Sequence, residues 1–225
     1  MISKGEKMRV EFDRQLESLN RHLIAIAELC AESVTKSTAA LLEKNEEYAQ
    51  DAISNEKKID SLASIIERQA IRVILTEQPV ASDLRFVSAA LKMNTDLERI
   101  GDQAEDVGHL VGQMIRTGYR RRELGSLKEM SVLVAQMTQD AVKAFVDGDS
   151  ALAADTIKMD DEVDQLFDIV RDEIIEEIRD VESHEPINMI DLLMIAKYLE
   201  RIGDHAENIA EAVLYSLTGS TELQD

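Results

Sequence analysis

The sequence predicts an all-α chain folded as two tandem three-helix bundles, and three observations carry that reading: a helix-favouring composition, apolar residues at helical spacing, and a segment that occurs twice. Of 225 residues only 4% are aromatic, Trp is absent and there are two prolines. Ala, Leu, Ile, Glu and Lys fill much of the remainder, and their side chains lose little freedom in a helix. A chain of this length can bury one large core or two modest ones.

The duplication decides how that length is used. Residues 97–106 read LERIGDQAED and residues 199–208 read LERIGDHAEN, identical at eight of ten positions and 102 residues apart. Upstream, NEKKIDSL at 55–62 aligns with MDDEVDQL at 159–166, 104 residues on, and Ile59/Val163, Leu62/Leu166 and Ile66/Val170 match in apolar character. A repeat of about a hundred residues is too long for a solenoid unit and suits three long helices joined by short turns. The first bundle is assigned to residues 1–118 and the second to 119–225, with the segment from Gly118 to Gly125 as the boundary.

Six helices follow in order. The first, near 8–44, is marked by Phe12, Leu16, Leu19, Leu23, Ile26 and Cys30, whose alternating steps of four and three form the seam of a helix packed along its neighbours. Asn45 marks a turn, and the second helix runs near 47–76. Pro79 precedes a third helix near 80–117; proline suits a first turn, and Ser82 or Asp83 can cap it. Its seam is Leu97, Ile100, Ala104, Val107, Val111 and Met114. The fourth helix, near 123–147, ends at Gly148, and the fifth spans about 150–182. Pro186 opens the sixth, near 187–217, whose seam Leu199, Ile202, Ala206, Ile209 and Val213 copies that of the third.

The formal net charge is −20, which argues against nucleic acid or anionic lipid as a direct ligand and favours cations and basic protein surfaces. The halves are unequal: 15 basic against 20 acidic residues up to Gly118, and 10 against 25 beyond it. A lone Cys30 forms no internal disulfide, and MISKGEKMRVEF lacks the apolar core of a secretory signal, so the cytoplasm is the expected compartment. No apolar run is long enough to span a bilayer, which leaves room for a place beside one, on a membrane protein.

Four stretches place two acids one helical turn apart: Glu56 and Asp60, Glu98 and Asp102, Asp160 and Asp164, Glu200 and Asp204. Like charges at that spacing destabilise a helix by about 0.2–0.5 kcal/mol per pair, so a compensating cation is expected. If the second and third helices of each repeat are antiparallel, their pairs converge into a carboxylate cluster that takes up protons or metal ions. Oxygen ligands alone suit hard divalent or trivalent ions, with iron, Mn or Mg foremost, whereas zinc more often recruits His or Cys. Gly101 and Gly203 each directly precede the second acid, although Gly within a helix costs about 0.5–1 kcal/mol relative to Ala. A close backbone approach or an open path for a metal explains them; the plainer alternative is a tight helix crossing with solvated acids.

Arg99 and Arg201 lie beside these acids, turned partly away by the helical rotation, and Asp106, whose counterpart is Asn208, is a rim candidate. His109 follows Asp106 by three, the spacing of di-iron bundles, but no second such motif occurs, and His205 reads as a surface or outer group. Cys30 reads as a packed thiol and Arg85 as a surface ion-pair partner. Residues 160–182 hold eleven acids, either a solvated face or a docking surface for a basic partner. Neither a Gly-rich phosphate loop nor a nucleophile elbow occurs, and no catalytic residues are assigned.

The duplicated LERIGD segments, the Gln78-Pro79-Val80-Ala81-Ser82-Asp83-Leu84-Arg85 entry and the acidic helix before each LERIGD resemble the PhoU family over nearly the whole chain. That resemblance implies two three-helix bundles, metal clusters on acid-x-x-x-Asp motifs, and negative regulation of phosphate uptake and phosphate-responsive genes without enzymatic activity. The motif carries over onto Glu98/Asp102 and Glu200/Asp204, with Glu56/Asp60 and Asp160/Asp164 facing them. The implied partners are a phosphate-sensing histidine kinase and a phosphate-transporter ATPase, with a homodimer as the expected assembly. The alternative from a different class is a carboxylate-bridged metalloenzyme or metal-storage bundle.

Overall fold

The computed structural model of the chain describes residues 4–119, 125–179 and 186–219. These form six helices and, among the described residues, no strand: α1 (Lys4–Glu43), α2 (Glu46–Glu77), α3 (Ser82–Arg116), α4 (Gly125–Asp147), α5 (Ser150–Arg179) and α6 (Pro186–Thr218). The all-α class and the two sets of three helices stand. Residues 120–124 of the proposed boundary, and the acids Asp180 and Glu182 of the long acidic run, lie outside the described residues.

Turn chemistry sets most ends. Asn45 caps α2, its side chain accepting from the Glu47 amide at 3.0 Å, and Glu46 and Glu47 complement the positive helix end. Asp149 caps α5 in the same manner, accepting from the amides of Ala151 and Leu152 at 3.0 Å each, after a left-handed Gly148 at φ 67. Pro186 is the first residue of α6, as the sequence suggested. The entry to α3 differs from expectation. Pro79 sits in the connection, Ala81 takes the cap position at φ 50 and ψ −117, and neither Ser82 nor Asp83 supplies a capping bond. With Gln78 also left-handed at φ 49, the chain turns through backbone geometry and starts α3 two residues later than the pattern placed it.

Named contacts give the topology. Lys36 meets Asp51 and His22 meets Gln69, so α1 and α2 are antiparallel. Asn94 donates to the Ala63 carbonyl at 3.1 Å, while the Gly108 backbone lies against Ile53, so α2 and α3 are also antiparallel. Between the halves α3 runs antiparallel to α6, with Arg85 near Ser216 and Asp96 near His205, and α1 packs on α4. The seams of α1, α3 and α6 are the buried faces, apart from a half-buried Leu16, and the buried apolar residues of both halves form one continuous core. Each fully buried Leu or Ile contributes about 1.5–3 kcal/mol, so this shared core holds the carriers of the acids in place. One asymmetry matters below: α1 is 40 residues long and its counterpart α4 only 23.

Candidate metal centres

Both acidic clusters sit where two helices cross closely at a glycine. A Cβ on Gly101 would lie 2.9 Å from Ile59 Cγ2, and one on Gly203 would lie 3.0 Å from Asp160 Oδ1 and 3.1 Å from Val163 Cγ1. Ile59 and Val163 are repeat equivalents, so the same crossing occurs twice. Of the two explanations for these glycines, the geometry gives close backbone approach. That approach lets side chains on α2 and α3, or on α5 and α6, meet without reaching.

In the first half Glu56, Asp60 and Asp102 each offer one carboxylate oxygen, all within 4.8 Å of one another. Partial burial raises the Glu56 carboxyl to about 7, aided by a hydrogen bond to Asp60 and by the charges of Asp60, Glu105 and Asp102. Glu98, half-buried one turn before Asp102, is not in this group of three. Arg99 was expected to turn away, yet its Nη1 pairs with Asp102 Oδ2 at 3.0 Å. A three-residue separation on a helix brings long side chains together even when their Cβ atoms diverge.

In the second half burial raises Asp160 to about 7, supported in turn by the negative charges of Glu207, Asp204, Asp164 and Glu200. Asp204 is raised by burial and then by Glu200, and Glu207 by burial and then by Glu211 and Asp204. Oδ1 of Asp160 is buried and accepts no hydrogen bond among the described residues. Lys197 binds Glu200, and its ammonium lies 5.5 Å from the Phe167 ring centroid. Unlike Arg99, Arg201 makes no ion pair among the described residues.

Sequence reasoning passed over Glu105 and Glu207, which act on Glu56 and Asp160. Their signal was present: both belong to the eight repeated positions, three residues after the Asp. Attention to four-residue spacing hid them, since three-residue neighbours share a helix face equally well. Asp106, the rim candidate, lies against Tyr198 of α6, and burial and then the Asp106 charge push the Tyr198 hydroxyl's ionisation up. Of the two readings of His205, the structure favours the outer group over the surface one: its charge acts on Asp204, and its Nδ1 lies 3.0 Å from Asp96 Oδ1 at the junction of α3 and α6. Arg85, read as a surface ion-pair partner, instead has Nε 3.5 Å from the Ser216 carbonyl, near the end of α6. His109 stands 3.5 Å from Glu105 and is mostly exposed. Cys30 is a packed thiol as expected, donating to the Leu97 carbonyl at 3.3 Å, with burial pushing its ionisation up.

Both clusters suit a hard cation. Their donors are carboxylate oxygens, neither group contains Cys, and the partnerless Asp160 Oδ1 is a lone-pair donor with nothing to receive it. In the first half the donors would be Glu56, Asp60 and Asp102; in the second, Asp160 is repelled by Glu207, Asp204, Asp164 and Glu200, but among the described residues no three of these acids bring oxygens within 4.8 Å of one another.

Comparison with known proteins follows the same outline. A family model described as the PhoU domain matches residues 23–111 and again 127–213. The chain is 33% identical over 211 residues to a phosphate-specific transport system accessory protein PhoU homolog 1 of Methanothermobacter thermautotrophicus, covering 93% of this chain and 95% of that protein. It is also 33% identical over 210 residues to a protein of the same name from Thermotoga maritima, covering 93% and 90%. Among solved structures, PhoU from Pseudomonas aeruginosa superposes with a TM-score of 0.87 at 30% identity, covering 93% of this chain and 100% of that one. The phosphate transport system regulatory protein PhoU from Streptococcus pneumoniae gives 0.85 at 30% identity, covering 95% and 100%.

Proposed function

The chain belongs to the PhoU family, and from that membership we propose that it is a non-enzymatic, metal-binding helical adaptor that restrains phosphate uptake and phosphate-responsive signalling. Relatives named as phosphate transport accessory proteins support the transport side of this reading. The observation that carries the metal side is the convergence of Glu56, Asp60 and Asp102 beside the Gly101 crossing, with a second set of mutually repelling acids around Asp160 beside the Gly203 crossing. Without a cation, the raised carboxyls of Glu56 and Asp160 hold protons up to about pH 7, and bound ions such as Mn²⁺, Mg²⁺ or iron would relieve the repulsion around them. The ions supply charge neutralisation that locks α2 to α3 and α5 to α6; the protein's own part is to present rigid helical surfaces.

The docking partners in this reading are a phosphate-sensing histidine kinase and the transporter ATPase, engaged from the inner face of the membrane, with the chain as a homodimer. No helix among the described residues is long and apolar enough to cross a membrane, so anchoring would come through those partners. The two repeats, 1–118 and 119–225, are taken as its structural units.

Two measurements test the reading. Elemental analysis of protein purified without added metals or chelators should find bound transition metal or Mg²⁺, lost from a chain carrying Asp102→Asn and Asp204→Asn. In cells lacking the chain, phosphate uptake in phosphate-rich medium should rise; uptake that stays at the parental level overturns the regulatory role.

A further inference from the structure

Away from the acidic clusters, α1 and α2 border a pocket of about 290 Å³ whose lining includes three arginines, Arg14 and Arg21 from α1 and Arg72 from α2. Arg14, Ser18 and Arg21 are four and three residues apart, one face of α1, and Gln69 and Arg72 are three apart on the facing side of α2. In a chain with 45 acidic residues, only Glu11 contributes a carboxylate to this lining, at 3.7 Å from Arg14. Arg21 and Arg72 make no ion pair among the described residues. Three guanidinium groups around one small space repel one another unless an anion joins them.

The polar neighbours are arranged to donate. Gln69 is fixed at both ends, its Oε1 2.8 Å from His22 Nδ1 and its Nε2 donating to Ser18 Oγ at 3.1 Å. Because that hydroxyl oxygen accepts from Gln69, its own hydrogen is left for an acceptor in the pocket. The lining therefore offers three guanidinium groups and a hydroxyl, a donor set that matches a multivalent oxyanion better than a single carboxylate.

The second half does not repeat the feature. At the 104-residue spacing Gln69 falls on Glu173 and Arg72 on Glu176, and Arg21 falls on Gly125, where α4 begins. Arg14 thus lies on the part of α1 that extends beyond its counterpart, and Arg21 and Arg72 stand where the second half has Gly125 and Glu176, so the arginines are not part of the duplicated pattern.

We propose that the α1–α2 pocket lined by Arg14, Arg21 and Arg72 binds a phosphate group, with Ser18 as an additional donor. This goes beyond the adaptor reading and does not use the acidic clusters. The shared chemistry fits inorganic phosphate or the headgroup of an anionic phospholipid.

Protein treated with chelator, so that no cluster-bound metal carries phosphate with it, is titrated by calorimetry with inorganic phosphate. In parallel it is co-sedimented with vesicles of phosphatidylcholine with and without phosphatidylglycerol. Saturable binding in either arm that weakens by about tenfold or more in each of Arg21→Gln and Arg72→Gln supports the site, and the arm in which it occurs identifies the source. Arg171→Gln, on the acidic α5, should bind as the parent does. Both pocket variants alter exposed side chains, so their thermal unfolding should match the parent and separates lost binding from lost fold. Absence of binding in both arms overturns the proposal, as does binding that survives in the Arg21→Gln/Arg72→Gln double variant.

Discussion

The cluster on α2 and α3 and the cluster on α5 and α6 occupy repeat-equivalent positions, yet their charge is relieved differently. In the first, Arg99 bridges Asp102 and the Glu56 carboxyl is driven up. In the second, the ion pair comes from Lys197 to Glu200 and not from Arg201, Asp160, Asp204 and Glu207 are all raised, and a buried Asp160 oxygen has no hydrogen-bond partner among the described residues. Duplication copied where the acids stand. It did not copy what neutralises them, and the second cluster is left with the greater demand for protons or a cation.

The glycine crossings are common ground between the halves, and breaking them should have the largest effect. Gly101→Val and Gly203→Val each force a side chain into space already occupied at 2.9–3.0 Å, and each should destabilise by about 3 kcal/mol in urea unfolding. Gly101→Val should be the worse, because the branched Ile59 cannot swing aside as the Asp160 carboxylate can. Equal unfolding midpoints for parent and variants would mean that the helices do not cross as described.

Cation binding separates the halves next. Saturating Mn²⁺ should stabilise chelator-treated protein by about 2–3 kcal/mol at a hundredfold excess over its dissociation constant. Asp160→Asn with Asp204→Asn should remove more of that gain than Glu56→Gln with Asp102→Asn. The reverse order in calorimetric melts would contradict the inequality drawn above.

Protons compete for the same oxygens, which fixes the sign of the pH dependence. A carboxyl raised from 3.8 to about 7, as at Asp160, binds more protons folded than unfolded between those values. Metal-free stability should therefore fall as pH rises from about 4 to about 7 and level off above, by about 1–2 kcal/mol once solvent screening is allowed for. Asp160→Asn should flatten this slope more than Glu56→Gln, measured by urea midpoints at successive pH values in chelator.

The smallest effect converts one cluster toward the other. Arg99→Gln removes the bridge to Asp102 and should cost about 0.5 kcal/mol of metal-free stability while tightening Mn²⁺ binding in the first half. If Mn²⁺ affinity instead falls, Arg99 assists the site and does not compete with the ion.

Much of the fold was legible because periodicity reports burial directly: the α1, α3 and α6 seams are the buried faces, and the repeated LERIGD marks equivalent helices. The α3 entry was not legible, since a left-handed Ala81 is a backbone choice that Pro79 and Ser82 do not announce. At the site, spacing placed Glu56, Asp60 and Asp102 together but could not decide Glu98, whose position depends on the rotation of α3 against α2. Contacts between the halves, such as His205 with Asp96, were invisible because nothing local encodes which outer faces meet.

Asp96, Asp102 and Asp106 ride on one unbroken helix, the first and last touching α6 and the middle one belonging to the cluster with α2. With no break between them, α3 is a single strut that carries the Asp102 group on one side and the contacts to His205 and Tyr198 on the other, so the acids of the first half and the seam between the halves share one backbone.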